Sequence, residues 1–403
     1  MGCSYNSGIT LPRGEPVIQI SWKQVTAFRL SRHHLSRRAP IRSAIDVAGD
    51  IAGAQAQVLS AAQISIWARA EVPSARILDD AIWRSRTLVR AWCMRRTMFL
   101  VPSGELALFT RGTARRAEYN YRWALARVSP GQVLDRLLDA VTEFLDRPRS
   151  RDEIARHLRS AGYKLKLKAG GGWGDSRSVP WVEVGGGLFS VGFLMHTMGG
   201  RRTVCSGPNV GNKSTYVRAD RWIKDWKDLP RDRAEEELLV KYLRAYGPST
   251  LADFALWMGL YVRDAKEIWG RMRSEMTQVE VEGREAEVLE ADASDLQSAK
   301  VDGPNVHLLP NFDAYLLGHK SHRNLVGERS QRKVYRGQGW VSPVLLVDGR
   351  AAGTWSYQQR RDELEVLVDS FTDLAPDVKS KVREEASGLG EFLGSESVRT
   401  SFA

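Results

Sequence analysis

The sequence is poor in cysteine. Cys3, Cys93 and Cys205 are the only three in 403 residues, far apart and without a Cys-x-x-Cys pair. That excludes a disulfide framework and a cysteine-built zinc or iron–sulfur centre. No uninterrupted apolar run approaches the ~20 residues of a membrane span, and the first residues lack the apolar core of a signal peptide. Met1-Gly2-Cys3 is followed by Asn6, where a myristoylation signal needs Ser or Thr. No Walker loop, dinucleotide-binding glycine fingerprint or nucleophile elbow occurs, so neither a nucleotide cofactor nor any other cofactor is expected. The close histidine pairs, His33 with His34 and His319 with His322, sit among arginines and lysine and are too cationic to favour a metal, so none is expected. These absences describe a cytoplasmic protein with no membrane contact and no structural metal.

What is present is globular: 43% of residues are hydrophobic and 27% charged. The net charge is +11, and its distribution is uneven. Residues 1–130 carry 19 Lys or Arg against 8 Asp or Glu, so the whole excess lies in the first third of the chain. A concentrated positive field attracts polyanions and raises their encounter rate, which points to nucleic acid.

Periodicity predicts an α+β fold built from a repeated unit. Residues 1–17 read as a flexible arm. Ser21 caps a helix carrying Trp22, Val25, Phe28 and Leu35, followed by helices over Ala61–Arg69 and Ser74–Arg84 and a hairpin over Leu88–Val101 with a basic centre. Three helices and a hairpin make a winged helix. The pattern recurs with a helix from Ser129-Pro130 to Asp146, a capping box at Ser150 and Glu153, a glycine-rich stretch Gly170–Gly174, a helix around Val182–Met198 and a wing made by Thr203–Cys205 and Thr215–Arg218. The third copy has helices at Arg233–Tyr246, after a cap at Ser249 or Thr250 and at Arg263–Met276, then period-two alternation from Thr277 to Leu289 about Gly283. Residues 300–370 are β-rich, and a helix near Asp377–Gly388 and a polar tail close the chain. The expected organisation is an arm (1–17), three tandem winged-helix units (18–128, 129–228, 229–298) and a small β-rich C-terminal domain (299–403).

Gln55-Ala56-Gln57 is the distinctive local feature. In a helix, side chains two apart diverge by about 200°; in an extended segment they share one side. If extended, both amides converge, and together they can hold and orient one water molecule. Two surface glutamines would look the same in sequence.

These residues resemble the AlkZ/YcaQ family of bacterial DNA glycosylases. The resemblance runs through Gln55-Ala-Gln57 with Trp67-Ala-Arg69, Val89-Arg-Ala-Trp92 with Arg95-Arg-Thr97, and Tyr246-Gly-Pro248 with Asp253-Phe254 and Trp257-Met-Gly259. It continues in Leu309-Pro310 with Phe312-Asp313 and Leu317-Gly318, then Val347-Asp-Gly349 and Gly353-Thr-Trp355. Gln57 places the chain with the Gln-x-Gln, AlkZ type rather than the Gln-x-Asp type. One departure is the first wing, where many members resemble Arg-Gly-Thr-x-His and this chain has Arg95-Arg96-Thr97-Met98-Phe99.

The resemblance implies a monofunctional DNA glycosylase that removes bulky N7-alkylguanine from double-stranded DNA, as monoadducts or interstrand crosslinks, in self-resistance to an alkylating antibiotic. Alkylation at N7 makes the base cationic and a good leaving group, so no carboxylic acid is needed, unlike in common glycosidases. Gln55 and Gln57 are then the catalytic candidates, with Asp313 as a possible stabiliser of the oxocarbenium or simply a turn residue. The DNA-binding candidates are Arg37, Arg38, Arg42, Arg95, Arg96, His319, Lys320, His322 and Arg323. An open cleft that reads the lesion without full base flipping is expected. Absence of a heptad seam or dimer helix suggests a monomer. Two other readings stay open: a winged-helix transcription regulator with incidental glutamines, and a protein that sequesters the drug.

Overall fold

The computed structural model describes residues 17–169, 178–198, 204–224, 226–301 and 303–403. It is a mixed α+β chain with four small sheets. The expected arm, apart from Val17, the segment Gly170–Gly174 and Thr203 lie outside these residues.

The same order, helix, short strand, helix, helix, hairpin, occurs three times. In the first third it is Ala44–Asp50, Ala54–Gln55, Leu59–Trp67, Ala75–Trp83, then Leu88–Trp92 with Met98–Pro102. In the second it is Gln132–Phe144, Arg149–Ser150, Arg151–Ser160, Val191–Met198, then Val204–Val210 with Lys213–Arg218. In the third it is Arg231–Tyr246, a one-residue bridge at Ser249, Leu251–Met258, Val262–Arg271, then Met276–Val281 with Arg284–Leu289. Each time the short strand pairs with the second strand of its own hairpin.

Local chemistry explains the starts. Ser21 with Gln24, Ser150 with Glu153 and Thr250 with Asp253 all close reciprocal capping boxes, satisfying backbone donors that a first turn leaves unpaired.

Three expectations are corrected. The helix after Ser21, Trp22–Arg32, is not the first helix of the first unit. It follows strand Ile18–Ile20, which runs parallel to Met276–Val281 at the edge of the third hairpin, and its Val25 and Phe28 pack with Val279, Val281 and Leu296. The first unit instead opens with Ala44–Asp50, whose small buried residues Ala44, Ala48 and Gly49 show no apolar–polar contrast to read. Second, Val182–Ser190 is not helical. Ser178–Val184 pairs with Lys164–Ala169 and Gly187–Ser190 in an extra three-stranded sheet, and the helix begins only at Val191. The turn Gly185-Gly186, both at positive φ, suits a hairpin and not a helix. Third, the helix expected over Arg263–Met276 ends at Arg271, and Met276 already opens the strand Met276–Val281; the polar tail closes as strand Ser397–Phe402, parallel to Glu363–Ser370.

Packing crosses the expected divisions. The first and second hairpins fuse through Ala91 and Cys205 into one six-stranded sheet. Helices of the first unit share a core with the C-terminal five-stranded sheet and its helix Pro376–Leu393, joining Ile64 and Trp67 to Leu308, Leu389 and Phe392. The first hairpin shares another core with the third unit, joining Val89 and Phe99 to Tyr242 and Trp257. Among the described residues, no helix is long and apolar enough to cross a membrane.

Candidate functional site

The Gln55–Gln57 segment is extended. Ala54 pairs with Leu100 and Gln55 with Phe99, at an edge of the six-stranded sheet, and the Ala56 amide donates to the Met98 carbonyl at 2.7 Å. Period two therefore puts both glutamine side chains on one side, as the spacing predicts. The two amides touch: Gln55 Nε2 donates to Gln57 Oε1 at 2.6 Å. Gln55 is only 7% exposed, whereas Gln57 is exposed.

Two arginines of the first hairpin hold this segment. Arg90 donates to the backbone carbonyls of Ala56 (2.8 Å) and Gln57 (3.2 Å). Arg95 donates one Nη to Gln55 Oε1 at 2.8 Å and the other to the Trp257 carbonyl at 2.8 Å. Its guanidinium also lies over the Phe99 ring, 5.5 Å from the centroid. Burial pushes the Arg95 pKa down to about 10, so the group is still charged at neutral pH. Arg90 was not singled out from the sequence; its place two residues before Trp92, on the half-buried face of its strand, was the available signal.

The expected basic wing tip is therefore not a phosphate grip as a unit. Arg95 turns inward. Arg96 is exposed and donates to Asn120 Oδ1 at 2.8 Å; burial of the guanidinium, then the nearby Arg116, lowers its pKa.

Asp313 is placed elsewhere. It is 1% exposed. Its Oδ2 accepts from Arg69 Nη1 (2.8 Å) and Ser65 Oγ (2.7 Å), and its Oδ1 from Arg69 Nη2 (2.6 Å) and the Tyr315 amide (3.0 Å). A carboxylate has about four lone-pair sites, and all four are used. This group links Ser65 and Arg69 of the first unit to the C-terminal region, and its bond from the Tyr315 amide is the cap expected of a turn residue.

The remaining basic candidates divide. Arg37, Arg42 and Lys320 are exposed and form no ion pair with other described residues. Arg38 is bound to Glu385 at 2.8 Å and stacks on Trp67, so it holds the C-terminal helix instead of facing outward. His319 is half-buried: burial, then Arg29, pushes its pKa down to about 3, and its Nε2 lies 2.8 Å from an Arg29 Nη and 2.9 Å from the Tyr246 carbonyl. His322 stacks on Tyr335 at 3.8 Å, and exposed Arg323 pairs with Glu328 at 3.1 Å. His319, Lys320 and His322 line a cavity of about 460 Å³ with Trp22, Arg29 and Asp253; neither glutamine borders it. Among the described residues, no three His, Cys, Asp or Glu side chains group as metal ligands.

The chain was compared with known proteins. The family described as "DNA glycosylase AlkZ-like" matches residues 48–392. The "Interstrand DNA cross-link repair glycosylase" of Streptomyces sahachiroi is 31% identical over 390 residues, which cover 94% of this chain and 98% of that protein. The solved structure of the Streptomyces sahachiroi DNA glycosylase AlkZ is similar with a TM-score of 0.75 and 28% identity, covering 95% of this chain and all of that one.

Proposed function

Taking as premise that the chain belongs to the AlkZ-like family and is a DNA glycosylase, we propose that it hydrolyses the N-glycosidic bond of bulky N7-alkylguanine in double-stranded DNA. The lesions are monoadducts or interstrand crosslinks, and the setting is self-resistance to a DNA-alkylating antibiotic, in the cytoplasm, by a monomer. The three repeated units are winged helices in this reading, and the C-terminal five-stranded sheet is their brace.

The observation that carries the chemistry is the pair of touching amides, one buried and one exposed. N7-alkylguanine leaves as a neutral base and needs no general acid. The sugar becomes oxocarbenium-like, and water must reach C1′. Gln57 is exposed and retains a carbonyl lone pair and two amide protons after its bond from Gln55. It orients the water; Gln55 lies behind it and holds it still. Amides are weak bases, so the effect is positioning and electrostatic preorganisation, not proton abstraction. The positive first third, with Arg37, Arg42 and Arg96 at its surface, supplies phosphate contacts, joined by exposed Lys320 of the C-terminal region.

The test is a duplex with one bulky N7-alkylguanine, incubated with protein and then heated in alkali. Wild type should give a strand break at the lesion above a no-enzyme control, and Gln55→Ala/Gln57→Ala should not. No break above that control across several N7 adducts overturns the proposal.

A further inference from the structure

Arginine carries only donors. The atom of Gln55 facing Arg95 must therefore be the carbonyl oxygen, at 2.8 Å. That fixes the rest: the Gln55 nitrogen points to Gln57, and the Gln57 oxygen must receive it, at 2.6 Å. If Gln55 flipped, its NH₂ would face the guanidinium and its oxygen would face the Gln57 oxygen. Gln57 would then flip too and turn its carbonyl away from Gln55. Two glutamines alone have both arrangements open to them; the arginine selects one.

Arg95 is itself held in place. Its other Nη is bonded to the Trp257 carbonyl, in the last turn of helix Leu251–Met258, where carbonyls lack helical partners and carry partial negative charge. Gly259, at φ 73°, follows that helix, and a Cβ there would lie 3.0 Å from Arg95 Cα. Arg95 and Arg96 have φ of 52° and 59°, a left-handed backbone unusual for side chains of this kind. The hairpin tip is bent so that Arg95 points in.

We propose that Arg95 is a positioning residue for the excision reaction, setting the amide sense of Gln55 and, through it, of Gln57, with the third unit anchoring it through the Trp257 carbonyl. This rests on the reading that Gln57 orients the attacking water. The chain is directional, guanidinium to amide to amide, and its open end is the one exposed member.

The test is a double-mutant cycle in single-turnover excision, with DNA affinity and melting temperature measured alongside. Arg95→Met should slow excision by up to about 100-fold, with the Kd for lesion DNA within about twofold of wild type. In a Gln55→Ala background the same change should cost almost nothing, because Arg95 acts through Gln55. Arg95→Lys, which keeps a cationic donor but not the fork, should fall between Arg95→Met and wild type, and it carries the same cycle if Arg95→Met loses the fold. A full rate in Arg95→Met, or an equal loss with and without Gln55, overturns the inference. If wild type excises and Gln55→Ala is slow while Arg95→Met is not, only this inference fails. If wild type does not excise, the proposed function fails instead.

Discussion

Arg69 and Arg95 both belong to the first repeated unit, and both turn away from solvent, yet their surroundings end differently. Arg69 meets a carboxylate. Asp313 takes both its Nη groups and fills its own last sites with Ser65 and Tyr315, so the carboxylate is saturated and passes nothing on, while Arg69 Nε is buried without a partner. Arg95 meets an amide, which accepts on one end and donates on the other, so the chain of bonds passes on to exposed Gln57. Fully buried Arg69 with a carboxylate makes a brace. Half-buried Arg95 with an amide makes a conduit that ends at the surface.

That contrast can be broken most strongly at the brace. Asp313→Ala leaves the Arg69 charge buried and unpaired and should destabilise the fold by about 3–5 kcal/mol, measured by denaturant unfolding. Arg69→Met/Asp313→Leu removes both charges and should recover most of that loss. A small effect of Asp313→Ala alone would mean the cluster is not the sealed unit described. At the open end the pattern reverses. Gln57→Ala should slow excision by about 10²–10³-fold, the usual scale for a lost preorganised polar group, while unfolding stays within about 0.5 kcal/mol of wild type. Loss of stability comparable to that of Asp313→Ala would erase the distinction.

Acid sharpens the difference between interior and surface. Burial pushes the pKa of His307 down to about 4. Its folded pKa thus lies below the unfolded value near 6.5, so below pH 6.5 the unfolded chain binds a proton that the folded chain refuses. Stability is unaffected above that range and falls as pH drops towards 4. At pH 5 this group alone should cost about 2 kcal/mol, and His307→Gln should flatten the melting-temperature profile between pH 7 and 5. The smallest effects belong to the exposed cations. Arg37→Ala and Arg42→Ala should each lower the salt slope of DNA binding by about 1, with no change in single-turnover rate at saturating protein. A rate change there would mean that these residues act on the reaction itself and not only on the phosphates.

Legibility in the sequence followed the range of the interactions. The caps at Ser150 and Thr250 and the alternation from Thr277 to Leu289 act over a few residues, and the elements they mark are present. That Gln55–Gln57 is extended was left open by the sequence, because the strand that pairs with it contains Phe99, far along the chain. The inward turn of Arg95 was not legible, because its anchor, Trp257, lies 162 positions away; a basic hairpin centre reads locally as a solvent-facing tip. Asp313 was legible in part. Its neighbours suggest a turn, and it does cap Tyr315 locally, but the partner that closes it is 244 positions back. The helix Trp22–Arg32 was found but assigned to the wrong unit, since periodicity identifies a buried face and not what covers it.

The strand Ile18–Ile20 and its pairing with Val279–Val281 bear on how the protein is made. Trp22 and its hydrogen-bond partner Glu282 are 260 positions apart. At a synthesis rate of about 5–20 residues per second, roughly 13–50 s pass between the two leaving the ribosome. Throughout that interval Ile18, Ile20, Val25 and Phe28 lack Val279, Val281 and Val288, the third-hairpin residues they pack against in the folded chain. What the ribosome delivers among the earliest pieces settles among the last.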